Sequence, residues 1–139
     1  MNNLQLSIST RVRYAETDQM GYVYHGNYAT FFEMGRVHFL REIGLNYSDL
    51  EHSGIMLPVL NLACQYHAPA LFDDEIQIIT ELAELPSDVR IKFNYKILNQ
   101  AQKLLTTGST ELVFVSTTTR KPIRCPEFFR EKIQDFFKA

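Results

Sequence analysis

Cysteine is scarce in this chain. Cys64 and Cys125 are the only two among 139 residues. They stand in neither a metal-like nor a thiol-exchange spacing, and a chain of this size needs no disulfide to hold it together. A reducing cytoplasm is the expected compartment. Long apolar runs are missing too, and nothing approaches the ~20 residues that a membrane span requires. The opening MNNLQLSIST has no basic stretch leading into an apolar one, so no secretory signal is expected there. Nor is there an excess of charge of one sign, with 14 Lys and Arg against 16 Asp and Glu and a formal net charge of -2. General affinity for nucleic acid or an anionic membrane is therefore not expected. No glycine-rich phosphate loop and no serine nucleophile elbow occurs, and His38, His52 and His67 lack a paired ligand spacing. Nucleotide and metal readings drop out.

What remains is ordinary globular composition, 45% hydrophobic, which is enough to build one core over a single domain, residues 1–139. Residues 5 to 14 alternate, with Leu6, Ile8, Val12 and Tyr14 on one side and Gln5, Ser7, Ser9, Arg11 and Arg13 on the other, as a half-buried strand does. Tyr28, Phe31, Phe32, Gly35, Phe39, Leu40 and Ile43 recur at helical spacing, so one long helix of about sixteen residues, roughly 24 Å, is predicted. Asn27 is placed to cap its start and Gly44 to close its end. A short helical turn is expected over Ser48 to His52. Four strands follow, at about 57–68, 74–84, 89–97 and 103–118, the clearest being Val89 to Ile97. They are joined at Pro69, at Pro86-Ser87-Asp88 and at Asn99 to Gln102. Pro126 suits the first position of a closing helix. This order predicts an α+β domain in which an antiparallel sheet, its last four strands in hairpin succession, wraps one helix.

The stretch RYAETDQMGYVYHGNYATFFE, residues 13–33, is where chemistry concentrates. The first amides of a helix are unpaired donors with partial positive charge, which stabilise an anion or a developing oxyanion. The amides of Tyr24, His25 and Gly26 fall at that terminus, and Asp18 lies a few residues upstream. A carboxylate and an oxyanion site sharing one carbonyl would serve acyl transfer, with Asp18 attacking directly or activating water. Against this, Asp in a polar loop is most often a turn or capping residue. His25 would either polarise a carbonyl or hydrogen-bond Asp18 and hold the loop. Tyr22, Tyr24 and Tyr28 would line an acyl pocket or serve as core. Thr17 can hydrogen-bond Asp18, and Gly21 and Gly26 can supply unusual backbone angles. Glu33 and Arg36 have the spacing of a helix-surface ion pair. Arg90, Lys92, Arg120, Lys121 and Arg124 read as solvated charges near strand ends, with phosphate contact as the minor alternative.

The segment RVRYAETDQMGYVYHGNYATFFEMGR resembles the active-site segment of the 4-hydroxybenzoyl-CoA thioesterase family, and especially its YbgC-like acyl-CoA thioesterase branch. The match rests on Thr17-Asp18, Gly21, Val23-Tyr24-His25, Asn27-Tyr28 and Phe32-Glu33. Farther along, HAPALFDDEIQIIT is similar to the family's second strand pair, so the resemblance spans essentially the whole domain.

The resemblance implies the hotdog fold, a curved antiparallel sheet of about five strands around one long central helix, with a short C-terminal helix. It implies hydrolysis of acyl-CoA thioesters, with Asp18 as the catalytic carboxylate, His25 in support and the amides around Tyr24 to Gly26 as oxyanion donors. It implies no cofactor, coenzyme A being part of the substrate, and a homodimer or homotetramer with sites at subunit boundaries. Acyl carrier protein is an alternative thiol carrier. Arg90, Arg120 and Lys121 become candidates for the coenzyme A phosphates, and Tyr22, where relatives more often carry a smaller aliphatic residue, a candidate for shaping the acyl pocket. Two other readings stand beside it. One is a hotdog enoyl-thioester hydratase or dehydratase, whose D-x-N-P-x-H spacing is not met by Asp18 and His25. The other is a non-catalytic acyl-thioester binding module.

Overall fold

The computed structural model describes residues 3–86 and 88–138, so Ser87 of the expected turn lies outside the described residues. In chain order the elements are β1 Leu4–Arg11, α1 Tyr28–Glu42, α2 Tyr47–His52, β2 Ile55–Met56, β3 Val59–Tyr66, β4 Glu75–Leu82, β5 Arg90–Leu98, β6 Leu104–Val113, β7 Val115–Ser116 and α3 Glu127–Lys138. Five strands form one antiparallel sheet in the order β1-β4-β5-β6-β3, and β2 pairs with β7 apart from it. With α1 against this sheet, the α+β hotdog architecture implied by the sequence is the one observed.

The predicted hairpin succession holds for β4, β5 and β6 but not for β3. One flank of β4 is occupied by β1, in register from Leu4↔Leu82 to Arg11↔Glu75, and its other by β5. The unoccupied flank of β6 receives β3, with Tyr66 opposite Thr106. The expected strand 103–118 divides at buried Phe114, whose ring meets Phe129 of α3 edge-on at 5.0 Å. Phe129 and Ile133 are fully buried and dock that closing helix. Pro126 stands just ahead of it, and its carbonyl accepts from the amides of Phe129 and Arg130, both at 3.1 Å.

Alternation along the strands supplies the wall that α1 packs on. Ile76, Ile78, Thr80 and Leu82 of β4 and Ile91, Phe93, Tyr95 and Ile97 of β5 are all buried. Phe31, Phe32, Phe39 and Leu40 of α1 have no exposed surface, and each such side chain contributes roughly 1.5–3 kcal/mol by leaving water. The β1 alternation fails at its end, because the chain turns into a 3-10 segment at Tyr14–Glu16 and leaves Tyr14 78% exposed.

The two ends of α1 are finished differently. At the C-terminus Leu45 N donates to Leu40 O at 2.7 Å and Gly44 N to Arg41 O at 3.1 Å, a Schellman closure with Gly44 at φ +82. At the N-terminus the predicted Asn27 cap is absent. A 3-10 turn, His25–Asn27, runs straight into the helix, so Asn27 already has helical angles and makes no capping bond.

The expected Glu33–Arg36 surface pair is also absent. Arg36 is buried, donating from Nε to Tyr47 Oη at 2.9 Å and from Nη1 to Tyr95 Oη at 3.2 Å. Tyr95 in turn shares a 2.6 Å hydrogen bond with Thr110 Oγ1 and stacks on Phe32. Burial lowers the Arg36 pKa, but the Tyr47 and Tyr95 hydroxyls outweigh it and leave the group raised and charged. The guanidinium thus ties α1 to the sheet and to α2, while Glu33 stays in solvent.

Gly35 sets how closely α1 approaches β4. A Cβ there would collide with Thr80 Oγ1 and lie 2.8 Å from Ile78 Cγ2. Gly35→Ala is therefore expected to lower stability by about 1–3 kcal/mol through overpacking, read as a fall in the midpoint of thermal or urea unfolding; an unchanged midpoint would contradict this packing.

Candidate active site

The loop between β1 and α1 folds back on itself. Thr17 and Val23 form an antiparallel bridge, and the turn between them is held by Asp18 N donating to Tyr22 O at 2.8 Å and Gly21 N to Asp18 O at 3.0 Å. Gly21 sits at φ +79, where an L side chain would be strained. Val23 then enters the core and donates to Ala70 O at 2.8 Å. The carbonyl of Glu16 is the fastening point for the rest, accepting Tyr24 N at 2.9 Å and Asn27 Nδ2 at 2.8 Å. The Glu16 side chain is itself buried, its carboxylate taking Arg13 N at 2.8 Å and Arg13 Nη2 at 3.1 Å.

Asp18 serves two ends at once. Oδ1 accepts the Met20 amide at 2.9 Å, the Asx-turn that the sequence offered as the plain alternative. Oδ2 has no hydrogen-bond partner among the described residues. The residue is half-buried in the wall of a cavity of about 310 Å³, which is also lined by Tyr22, His25, Tyr28 and Tyr66. The Tyr28 phenol is buried, and burial raises its pKa. Cavity walls that are mostly aromatic and aliphatic, around one carboxylate, suit an apolar group carried on a polar handle.

Of the three expected oxyanion amides, Tyr24's is spoken for by Glu16 O, so Tyr24 does not supply one. Among the described residues nothing accepts from the amides of His25 or Gly26. Gly26 does not adopt a left-handed angle as expected. Its missing Cβ instead leaves room for the Tyr24 ring, which a Cβ would meet at 2.6 Å. The His25 ring lies 4.3 Å from that of Tyr24 and makes no hydrogen bond to Asp18 among the described residues. The Thr17 hydroxyl turns to Tyr14 O at 2.7 Å rather than to Asp18.

The basic candidates lie elsewhere in the chain. Arg90 Nη1 pairs with Glu111 at 2.9 Å, opposite Val113 of β6, whereas the cavity end of that strand is Thr106, opposite Tyr66. The separation along β6 is about seven residues, roughly 23 Å. Arg120 and Lys121, exposed in the turn after β7, do not line the cavity either. Sequence reading also overlooked Tyr66, which reaches the cavity from the edge strand. Its one signal was its place at a strand's end, beside His67-Ala68-Pro69.

The family model of the thioesterase-like superfamily matches residues 12–133, and the chain belongs to that superfamily. It is 30% identical over 127 residues to the acyl-CoA thioester hydrolase YbgC of Escherichia coli O157:H7, covering 91% of this chain and 94% of that protein. Among solved structures it is similar to a DHNA-CoA thioesterase from Staphylococcus aureus, with TM-score 0.87 and 36% identity over 96% of this chain and 89% of that one. It is also similar to BH1999, a gentisyl-coenzyme A thioesterase, with TM-score 0.81 and 26% identity over 93% and 99% of the two chains.

The Asn27–Glu16 bond gives a direct check of the loop's construction. Asn27→Ala removes a donor and is expected to cost about 1 kcal/mol. Asn27→Asp is expected to cost more, because a carboxylate would then face a carbonyl oxygen. Urea midpoints of the two variants measure the order, and equal midpoints would contradict the assignment.

Proposed function

We propose that this protein hydrolyses acyl-CoA thioesters to a carboxylic acid and free coenzyme A. The observation that carries the reading is one cavity lined both by Asp18, whose Oδ2 is unpaired among the described residues, and by His25, which opens the turn whose His25 and Gly26 amides have no acceptor among them. The acyl carbonyl oxygen lies toward the amides, and Asp18 faces the carbonyl carbon. Attack by Asp18, or by a water that it deprotonates, places negative charge on that oxygen, where preorganised amides lower the barrier. Collapse breaks the C–S bond and the thiolate takes up a proton; where Asp18 itself attacks, water then hydrolyses the mixed anhydride, which releases the acid and restores the carboxylate. Water is the only other reactant, so the balance requires no cofactor. The ring of His25 lies beside the same carbonyl and supports the turn.

A second copy of the chain completes the site. Among the described residues β3 ends the sheet with an unpaired flank and carries exposed Val59, Leu60, Leu62 and Tyr66, a strand edge that invites pairing. Antiparallel pairing of β3 with its own copy about a two-fold axis sets the start of the partner's strand beside Tyr66. That brings the partner subunit's Arg90, and with it the partner's Arg120 and the partner's Lys121, to the mouth of this cavity. The coenzyme A phosphates then meet basic side chains that the same chain does not offer. An acyl carrier protein is the alternative thiol carrier at that mouth.

Two outcomes test this. Asp18→Asn is expected to reduce thiol release from a panel of short, long and aromatic acyl-CoAs by at least about 100-fold, and near-normal turnover would sink the assignment. Leu62→Lys is expected to shift the protein toward monomer in sedimentation velocity and to raise KM, and an unchanged assembly would remove β3 as the interface.

A further inference from the structure

Tyr66 connects the sheet edge to the reacting end of the helix. Its hydroxyl donates to His25 O at 3.1 Å, and the same carbonyl accepts the Tyr28 amide. A carbonyl oxygen has two lone pairs, and both are thereby occupied. The His25 carbonyl and the Gly26 amide belong to one planar peptide group, so fixing the first fixes the direction of the second. Donation to the oxygen also polarises the group and makes its N–H a stronger donor. Gly26 N–H is one of the two amides left without an acceptor among the described residues.

We propose that Tyr66 is a positioning residue for the oxyanion turn, its hydroxyl orienting and polarising the His25–Gly26 peptide so that the Gly26 amide meets the developing oxyanion. This rests on the thioesterase reading above. Ring and hydroxyl have separate tasks. The ring packs edge-on against Tyr28 at 5.2 Å, and Tyr28 is anchored in the core, so the cavity wall stands without the hydroxyl. Burial and the neighbouring Cys64 thiol push the Tyr66 phenol up to about 12, and it therefore remains a donor throughout the neutral range. A partly exposed bond between neutral groups adds little to folding stability, and its effect falls instead on the orientation of an amide that the folded state leaves free.

The test is Tyr66→Phe in the full chain, assayed with the acyl-CoA panel and observed by amide NMR. The expected result is a kcat lowered about 3- to 10-fold, a fraction of what loss of an entire oxyanion donor costs. KM and the unfolding midpoint should stay close to wild type, and the Gly26 amide proton should move upfield. Replacing Tyr66 by 3-fluorotyrosine, a more acidic donor in the same shape, should keep or raise kcat and move that proton downfield; it also serves if the Phe variant folds poorly. An unmoved Gly26 resonance, or a Tyr66→Phe enzyme with wild-type kcat, overturns the proposal while leaving the thioesterase reading intact. A wild type that hydrolyses no acyl-CoA overturns both.

Discussion

The backbone groups at the ends of a helix have no partner within the helix, and α1 works under that constraint. Its C-terminal end is closed by the Leu45 and Gly44 amides on the carbonyls of Leu40 and Arg41. Its N-terminal end is extended by a 3-10 turn rather than capped, which moves the unpaired amides out of the core to His25 and Gly26. Two amides without an acceptor among the described residues thus stand side by side, and His25, which carries one of them, lines the same cavity as Asp18. A capped helix would have been more self-contained and would have had less to offer a developing oxyanion.

Holding those amides in place falls to a backbone oxygen. Glu16 O takes bonds from both Tyr24 and Asn27, pinning the stretch on either side of His25 and Gly26. Because Tyr24's amide is consumed in this way, only the two residues after it remain as donors. The buried Glu16 carboxylate closes the start of the loop on Arg13. A residue that sequence reading passed over thus sets the geometry on which the proposed chemistry depends.

Much of this was legible beforehand, for physical reasons that differ by element. Period-two and period-3.6 patterns come from burial on one face, so β5 and α1 were readable within a residue or two. The partner of β3 was not readable, since strand order depends on which flanks are vacant once β1 has docked on β4. Arg36 was taken for a surface charge because spacing to Glu33 says nothing of the hydroxyls waiting across the core, which belong to Tyr47 and Tyr95. Asp18 and His25 were singled out from the loop itself, and both line the cavity. Tyr66 was missed because its link to His25 joins residues 41 apart, a relation that no local pattern carries.

The cavity's walls have a different character from its floor. Met20 and Tyr22 are 71% and 40% exposed, whereas Val23 and Tyr28 beneath them are part of the core. Side chains at such exposed positions can be exchanged at little cost to stability, while the backbone turn that holds Asp18 is determined by bonds beneath them. Divergent copies of such a chain can therefore explore new acyl groups by drift at the rim, with the hydrolytic apparatus inherited unchanged.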